Sequence, residues 1–543
     1  MEKISDISYK LDEGTVIFAS GEDALRSAAF LTDYLSKYYG VDLKVTEGES
    51  NGNRSSHKLK SIEMRVAPVD LSGVESFYAG SVENFDENST EYVEGVYSVM
   101  IEEGRALLTG NDGAGIFYAI QSLIQLLPSG NEEGDGRILI PSVKIVDFPR
   151  FEYRGMHLDV VRHIYPVEYI KKYIDYLALH KMNYFHWHLT DDQGWRMESK
   201  KYPQLNEKGS WRDATIIGLF PGTGVDSTRY GGFYTVEEMK EVVRYAQERY
   251  ITIVPEVEMP AHCMAVLSVF PQFSTTPDIP KKPAITWGIF NRQNNVLAPS
   301  EEVFLFLADV YNELMDIFPG KYIHIGADEC SKMWWRDSPA TQRFIKEYKL
   351  KDEDGLQRYF VERVARVIKA RGREFIGWDE MVDDGLVEGG VVMNWRNNSN
   401  GAIAAEQGHK VIMTKSKYSY FNIAQKEKED TLCHRGYVPL DSVYLFEPVP
   451  ATLSEEAARN IIGGQGCMWT EYFPHKERLE YGIFPRLSAI SEVYWTLSEK
   501  RDLNKFKDKL SDQFARFDRW GTNYYRLPLG ADKTTLLREA VPE

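Results

Sequence analysis

From Phe151 onward short apolar runs alternate with longer stretches of helical period, and the alternation recurs eight times. The runs at 153–158, 184–189, 251–257, 322–327, 374–378, 391–395, 410–414 and 462–469 are rich in β-branched and aromatic residues and bounded by turn formers. That pattern predicts strands. Between them, Pro166 opens a helix running to Leu179, and 235–249 carries Glu237 and Glu238 in its first turn. Val303, Phe306, Leu307, Val310, Tyr311, Leu314 and Ile317 form one apolar stripe, 357–370 is helical, and 485–495 closes the series. Eight strand-plus-crossover units predict an α/β fold, a (β/α)8 TIM barrel whose active site sits at the strands' C-terminal ends. A doubly wound sheet shares this rhythm, but no glycine-rich phosphate loop follows any of the runs.

Residues 1–150 follow a different pattern, that of a small α+β domain. A strand at 14–19 precedes an amphipathic helix at 22–39 closed by Gly40, with further strands near 59–66, 95–101 and 105–109. A second helix, 113–127, stops at Pro128, and the Gly- and acid-rich stretch 129–137 is a surface loop. The expected organisation is therefore an N-terminal domain over 1–150, the barrel over 151–500, and a C-terminal helix (503–520) with its tail over 501–543, packed on the barrel.

The chemistry concentrates where a barrel would put it. The run ending His324-Ile325 meets a small pair, Gly326-Ala327, and then two adjacent carboxylates, Asp328 and Glu329. Neighbouring acids at the end of a buried strand repel unless the site gives them different protonation states. Arg154 and Asp159 flank the first strand, where Arg154 needs a partner, either substrate or acid. The second strand leads into His188-Leu189-Thr190-Asp191-Asp192-Gln193-Gly194-Trp195-Arg196, and the third into Glu256-Val257-Glu258-Met259-Pro260-Ala261-His262. Trp378, Trp395 and Trp469 end the fifth, sixth and eighth strands, while Tyr420 and Asn422 follow the seventh and Glu471 the eighth. A lone tryptophan there is ordinary packing, but three around one mouth suit a small apolar pocket for a ligand methyl or ring face. His186 and His188 share one strand face. They read as hydrogen-bonded histidines, with His262 partnering Asp191 or Glu329, or as ligands of a metal-dependent barrel hydrolase.

A net charge of −17 argues against nucleic acid or an anionic membrane as partner, because phosphate binding needs a basic footprint. No stretch approaches the roughly 18 apolar residues of a membrane span. The four cysteines, Cys263, Cys330, Cys433 and Cys467, show neither metal-ligand spacing nor a disulfide framework. Met1-Glu2-Lys3-Ile4-Ser5 lacks an apolar signal core, which leaves a cytoplasmic protein or one whose signal has been removed. Oligomeric state leaves no mark on the sequence.

With these residues assembled, the chain resembles the N-acetyl-β-hexosaminidases of glycoside hydrolase family 20. The resemblance rests on His324-Ile325-Gly326-Ala327-Asp328-Glu329, on the stretches from His188 and from Pro255 to His262, and on Gly464-Gln465-Gly466-Cys467-Met468-Trp469-Thr470-Glu471. It covers most of the chain, including a non-catalytic domain before the barrel. It implies an exo-acting, retaining enzyme needing neither metal nor organic cofactor, acting on glycans that end in N-acetylhexosamine, with the substrate's own acetamido group as nucleophile. By similarity, Glu329 is the general acid, kept protonated by burial and by the charge of Asp328, which itself orients the acetamido N–H. Tyr420 bonds the acetamido oxygen, and Trp378, Trp395 and Trp469 wall the methyl group and sugar. Arg154 and Glu471 fix ring hydroxyls, and Asp191 with His262 backs Glu329. The family places an acid where this chain has Asn422, which weakens a hydroxyl contact or suits another epimer or substituent. Family habit implies export, to the periplasm or beyond. The rival readings are the metal-dependent hydrolase on His186, His188 and His262, and a non-catalytic sugar-binding barrel, which would have no use for an acid at the leaving oxygen. The loop 218–230, from its place after the second strand, is expected to shape the aglycone side.

Overall fold

The computed structural model describes residues 2–49, 60–71, 94–129, 138–429 and 431–527. The expected loop at 129–137 and the last part of the C-terminal tail lie almost wholly outside them. The N-terminal unit holds a seven-stranded mixed sheet, ordered Glu2–Lys3, Val143–Asp147, Tyr97–Glu102, Arg105–Gly110, Ser61–Val66, Val16–Ser20 and Lys44–Glu47, and a separate antiparallel pair, Tyr9–Leu11 with Ile138–Ile140. Helices Glu22–Tyr39 and Gly113–Leu126 pack on the sheet and on each other. The first ends where Gly40 adopts φ 66°, a left-handed cap whose N–H returns to the helix carbonyls.

Eight parallel strands close the barrel: β1 (Tyr153–Asp159), β2 (Tyr184–His188), β3 (Thr252–Met259), β4 (Tyr322–Gly326), β5 (Glu374–Trp378), β6 (Gly390–Asn394), β7 (Val411–Met413) and β8 (Ile461–Gly466). β3 runs two residues beyond its expected end, and β8 stops three residues short, so Cys467 leaves the ladder to bridge Tyr420. The long loop after β2 contains three two-residue antiparallel ribbons, too short for any periodic signal: Thr190–Asp191 with Gly194–Trp195, Trp211–Arg212 with Tyr230–Gly231, and Ile216–Ile217 with Gly224–Val225. The crossover helix Glu301–Ile317 starts on a Ser300 cap and buries the expected stripe. Its Tyr311 hydroxyl donates to the Val257 carbonyl of β3 at 2.7 Å. The C-terminal segment forms two helices, Leu503–Asp508 and Leu510–Arg519, rather than one. They touch both neighbours: Phe517 packs on Phe484 behind the barrel, and the Trp520 indole N–H donates to Tyr34 in the N-terminal unit. No helix among the described residues is long and apolar enough to cross a membrane, and all four cysteines are free thiols.

Side chains alternate in and out along each strand. On β2, Phe185 and Trp187 face the helices and meet Tyr173 and Tyr234, while Tyr184, His186 and His188 point into the barrel. The interior is layered accordingly. A lower aromatic layer stacks Tyr153 on Tyr184 with ring centroids 4.2 Å apart. Above it lies a polar layer centred on Glu256 of β3. The Trp378 indole N–H donates to Glu256 at 2.9 Å, His324 Nδ1 and His186 Nε2 lie 2.8 and 3.1 Å from it, and His188 Nδ1 is in hydrogen-bond contact with it. This hub fixes the strands that carry the residues above it.

Candidate active site

Above the polar layer, at the C-terminal mouth of the barrel, opens a cavity of about 480 Å³. Asp328, Glu329, Trp378, Trp395, Tyr420, Asn422, Trp469, Glu471, Asp191 and His262 all line it, so the structure gathers in one place ten of the eleven residues singled out from the sequence. Its size suits one or two sugar rings.

The eleventh, Arg154, is at the other end. Along β1, Tyr153, His157 and Asp159 face inward, and alternation turns Arg154 outward. Its buried guanidinium donates to the carbonyls of Lys181 and Phe151 and to the Tyr118 hydroxyl of the N-terminal unit, and lies over the Trp495 ring. It is a clasp between the two units and does not pair with Asp159. The guanidinium that reaches the cavity from β1 is that of Arg162, just beyond the strand's end, which pairs with Asp159 at 3.2 Å and Asp191 at 2.7 Å and lies over Trp469. Its place after a strand end was the available signal.

The backbone at the head of β4 is bent to present the two acids. Gly326, Ala327 and Glu329 have φ of 66°, 72° and 43°, and His262 on the next loop has 52°. Non-glycine residues in this region store of order 1–3 kcal/mol of strain, which the surrounding structure must hold in place. Space is also tight at Gly326, since a Cβ there would lie 1.9 Å from Glu258 Oε2 and the buried Glu258 side chain would have to move.

A chain of charges runs beneath the acids. His188 joins Glu256 to Asp191, its Nε2 lying 3.0 Å from Asp191 Oδ2. Burial disfavours charge on His188, but the two carboxylates outweigh it and raise its pKa to about 10. Burial likewise disfavours Asp191's charge, yet Arg162 and His262 hold its carboxyl far below the ordinary range. His262 Nδ1 lies 3.1 Å from Asp191 and 3.2 Å from Asp192, and its Nε2 lies 3.6 Å from Asp328 and 3.4 Å from Glu329. Against the cost of burial, Asp191 and Asp328 hold it well above an ordinary imidazole, so it carries a proton at neutral pH.

This fixes where the next proton resides, and the result differs from the expected assignment. Burial pushes Asp328 up, His262 pulls it back and Glu329 adds to the rise, leaving it at about 6. Burial also acts to raise Glu329, but its hydrogen bond to His262 and the charges of His262 and Arg162 more than offset this and leave it below the ordinary value. The Asp328 side chain is 13% exposed and that of Glu329 42%, so solvent still reaches the second acid. In the unliganded chain Glu329 is therefore ionised, and Asp328 is the acid more easily protonated.

The walls are aromatic. Trp378 is pinned by Glu256 and lies 6.0 Å from Trp469, while Tyr420 stacks on Trp395 at 6.2 Å. Glu380, two residues beyond the end of β5, accepts the Trp395 indole N–H at 3.1 Å; its signal in the sequence was that place after a strand end. Loop 218–230 contributes Phe220 to the lining. His186 and His188 do not line the cavity. They belong to the Glu256 layer, where His157–His188–Glu256 and His186–Glu256–His324 have ligand atoms within metal-binding reach of one another. Asp191–Asp192–His262 and His262–Asp328–Glu329 are two further such groups, and they share His262.

The description "Glycosyl hydrolase family 20, catalytic domain" matches residues 151–498, and "Glycosyl hydrolase family 20, domain 2" matches residues 3–148. The chain is 37% identical to a β-hexosaminidase of Porphyromonas gingivalis over 97% of its own length and 63% of that protein's. It is 35% identical to a β-hexosaminidase of Vibrio furnissii over 73% of its length and 65% of the relative's. It therefore spans just under two thirds of each of these relatives. A GH20 exo-β-N-acetylglucosaminidase from Vibrio harveyi, solved in complex with N-acetylglucosamine, superposes with a TM-score of 0.80 at 29% identity, covering 97% of this chain and 77% of that one. On the match of its barrel and of the unit before it, the chain belongs to glycosyl hydrolase family 20.

Proposed function

We propose that this chain is an exo-acting, retaining β-N-acetylhexosaminidase, releasing terminal β-linked GlcNAc or GalNAc from glycans by substrate-assisted catalysis. The observation that carries the reading is the pair Asp328–Glu329 at the head of β4, facing a cavity walled by Trp378, Trp395, Trp469 and Tyr420. The N-acetylglucosamine bound by the Vibrio harveyi relative supports it. In this scheme the acetamido carbonyl oxygen bonds to the anomeric carbon as the glycosidic bond breaks, and Glu329 passes its proton to the leaving oxygen. Ionised Asp328 accepts the amide N–H and offsets the positive charge of the oxazoline-type intermediate. Tyr420 donates to the amide oxygen. Water then attacks the anomeric carbon as its bond to the acetamido oxygen breaks, giving up a proton to Glu329, so that the acetamido group is restored and the configuration is retained. Arg162, in place of Arg154, and Glu471 hold ring hydroxyls.

Glu329 needs a proton that the unliganded geometry does not favour. A sugar filling the cavity would strip water from its 42%-exposed side chain and raise its pKa, so substrate itself loads the acid. The test is paired hydrolysis of an aryl N-acetyl-β-glucosaminide and the matching aryl β-glucoside, with EDTA present. Release from the first alone is expected. Equal release from both would remove the role given to the acetamido group, and activity lost to EDTA but restored by zinc would favour a metal reading.

A further inference from the structure

A second cavity, of about 570 Å³, lies behind one wall of the first. The stretch 284–293 divides them: Trp287, Ile289 and Phe290 line the first, and Ala284, Arg292 and Gln293 the second. Met264, Ala284 and Ile289 pack together as the partition. This partition is tied to the residues that support the acid. Asp192 lies 3.2 Å from His262, its Oδ1 accepts the Met264 N–H at 3.1 Å, and its carbonyl accepts the Ala284 N–H at 2.8 Å. His262 in turn lies 3.4 Å from Glu329, and Trp334, five residues past Glu329, lines the second cavity. The cavity therefore neighbours the acid, on the side from which a leaving group departs. Its lining is basic in a chain of net charge −17. It holds Lys281, Lys282 and Arg292 against a single acid, Asp213, which Lys282 binds at 2.6 Å. Among the described residues no carboxylate lies within 4 Å of the Lys281 or Arg292 cation. Lys281 donates instead to uncharged oxygens of Thr276 and Ile279, and burial lowers its pKa with no acid to oppose the shift. Arg292 is exposed and lies 4.6 Å from the ring centre of Phe220, a residue of the first cavity, so it stands where the two cavities meet.

We infer that the second cavity is a subsite for the leaving glycan, where Arg292 and Lys281 receive the carboxylate of a uronic acid on the reducing side of the cleaved bond. This rests on the function proposed above and narrows its substrate class. The terminal sugar is assigned to Asp328, Tyr420 and the tryptophans of the first cavity, and the partition keeps it away from the second. Only a glycan that extends past Glu329 reaches Arg292. Arginine presents a planar fork matched to a carboxylate, Lys281 adds a charge that no protein acid neutralises, and Trp334 offers aromatic surface to a sugar ring.

The experiment compares kcat/KM of the full chain on three substrates. They are an aryl N-acetyl-β-glucosaminide, a neutral tetrasaccharide of β-linked N-acetylglucosamine, and a tetrasaccharide alternating N-acetylglucosamine with glucuronic acid, N-acetylglucosamine at its non-reducing end. The acidic chain is expected to be cleaved at least about a tenth as well as the neutral one, and added salt should slow it selectively. Arg292→Gln and Lys281→Gln should each lower the acidic-to-neutral ratio about tenfold, the loss of one charge-assisted contact, and leave the aryl substrate unaffected. Lys282→Gln, whose ammonium is already paired with Asp213, should leave the ratio in place. If the neutral substrates are cleaved and the acidic chain falls below about a tenth of the neutral tetrasaccharide, the inference is overturned while the proposed function stands. A ratio unmoved by Arg292→Gln and Lys281→Gln, or lowered as much by Lys282→Gln, would overturn the assignment to this cavity. Failure to cleave any of the three substrates would overturn the proposed function and this inference with it.

Discussion

His262 is the most informative residue to perturb, because it holds the charge that divides the protons between Asp328 and Glu329. Its Nε2 lies 3.6 Å from Asp328. At an effective dielectric constant of about 20, a unit pair at that separation interacts by roughly 4–5 kcal/mol, an upper bound of about 3 pH units. Water entering the vacated space screens the remaining charges, so a rise of about 1–2 units is the working expectation. The sign follows from the geometry. Asp328 must be ionised to accept the amide N–H, its pKa in the free chain is about 6, and His262 is a lowering influence on it. The productive complex holds one proton on the pair, at Glu329, and the free pair gives up its last proton, from Asp328, at about 6, so kcat/KM, which reports the free enzyme, should fall as pH rises through about 6, and His262→Gln should move that limb to higher pH. The assay is a pH series of initial rates on an aryl N-acetyl-β-glucosaminide at low substrate. A limb that stays put or moves to lower pH in His262→Gln would refute the assignment of the proton.

Glu329→Gln should cost about 10²- to 10⁴-fold in turnover of natural glycosides and less on aryl substrates with good leaving groups, and equal losses on both would argue against its role as an acid. Arg154→Met removes hydrogen bonds to Lys181, Phe151 and Tyr118, so urea unfolding should show a loss of about 1.5–3 kcal/mol with kcat/KM unchanged. Arg162→Met should instead raise KM strongly, and the reverse outcome would restore Arg154 to the site. Gly326→Ala meets both φ 66° and a 1.9 Å clash with Glu258. It should lose roughly 1–2 kcal/mol to the left-handed backbone and about 1–3 kcal/mol to overpacking, together with most activity, and unfolding at the wild-type urea midpoint would contradict this.

The fold was legible because its signals are local. Strand and helix periods and strand-end polar clusters depend on neighbours a few residues away, and eight repeats of them leave few topologies open. The site residues from Asp191 to Glu471 were legible for the same reason, each following a predicted strand. Even the displacement of Arg154 was within reach, since alternation from Asp159 puts residue 154 on the opposite face.

What the sequence determined by itself was therefore the barrel, its mouth and most of the residues in it. Tertiary structure decided three things. It chose Arg162 over Arg154, through the direction each side chain takes from β1. It set the protonation of the two acids, which depends on Å-scale distances to His262 and on how much water reaches each carboxyl. It also brought Lys281 and Arg292 to one cavity with Trp334, a convergence of loops that no periodicity announces. Energies that fall off with distance in space are invisible to a pattern that records only distance along the chain.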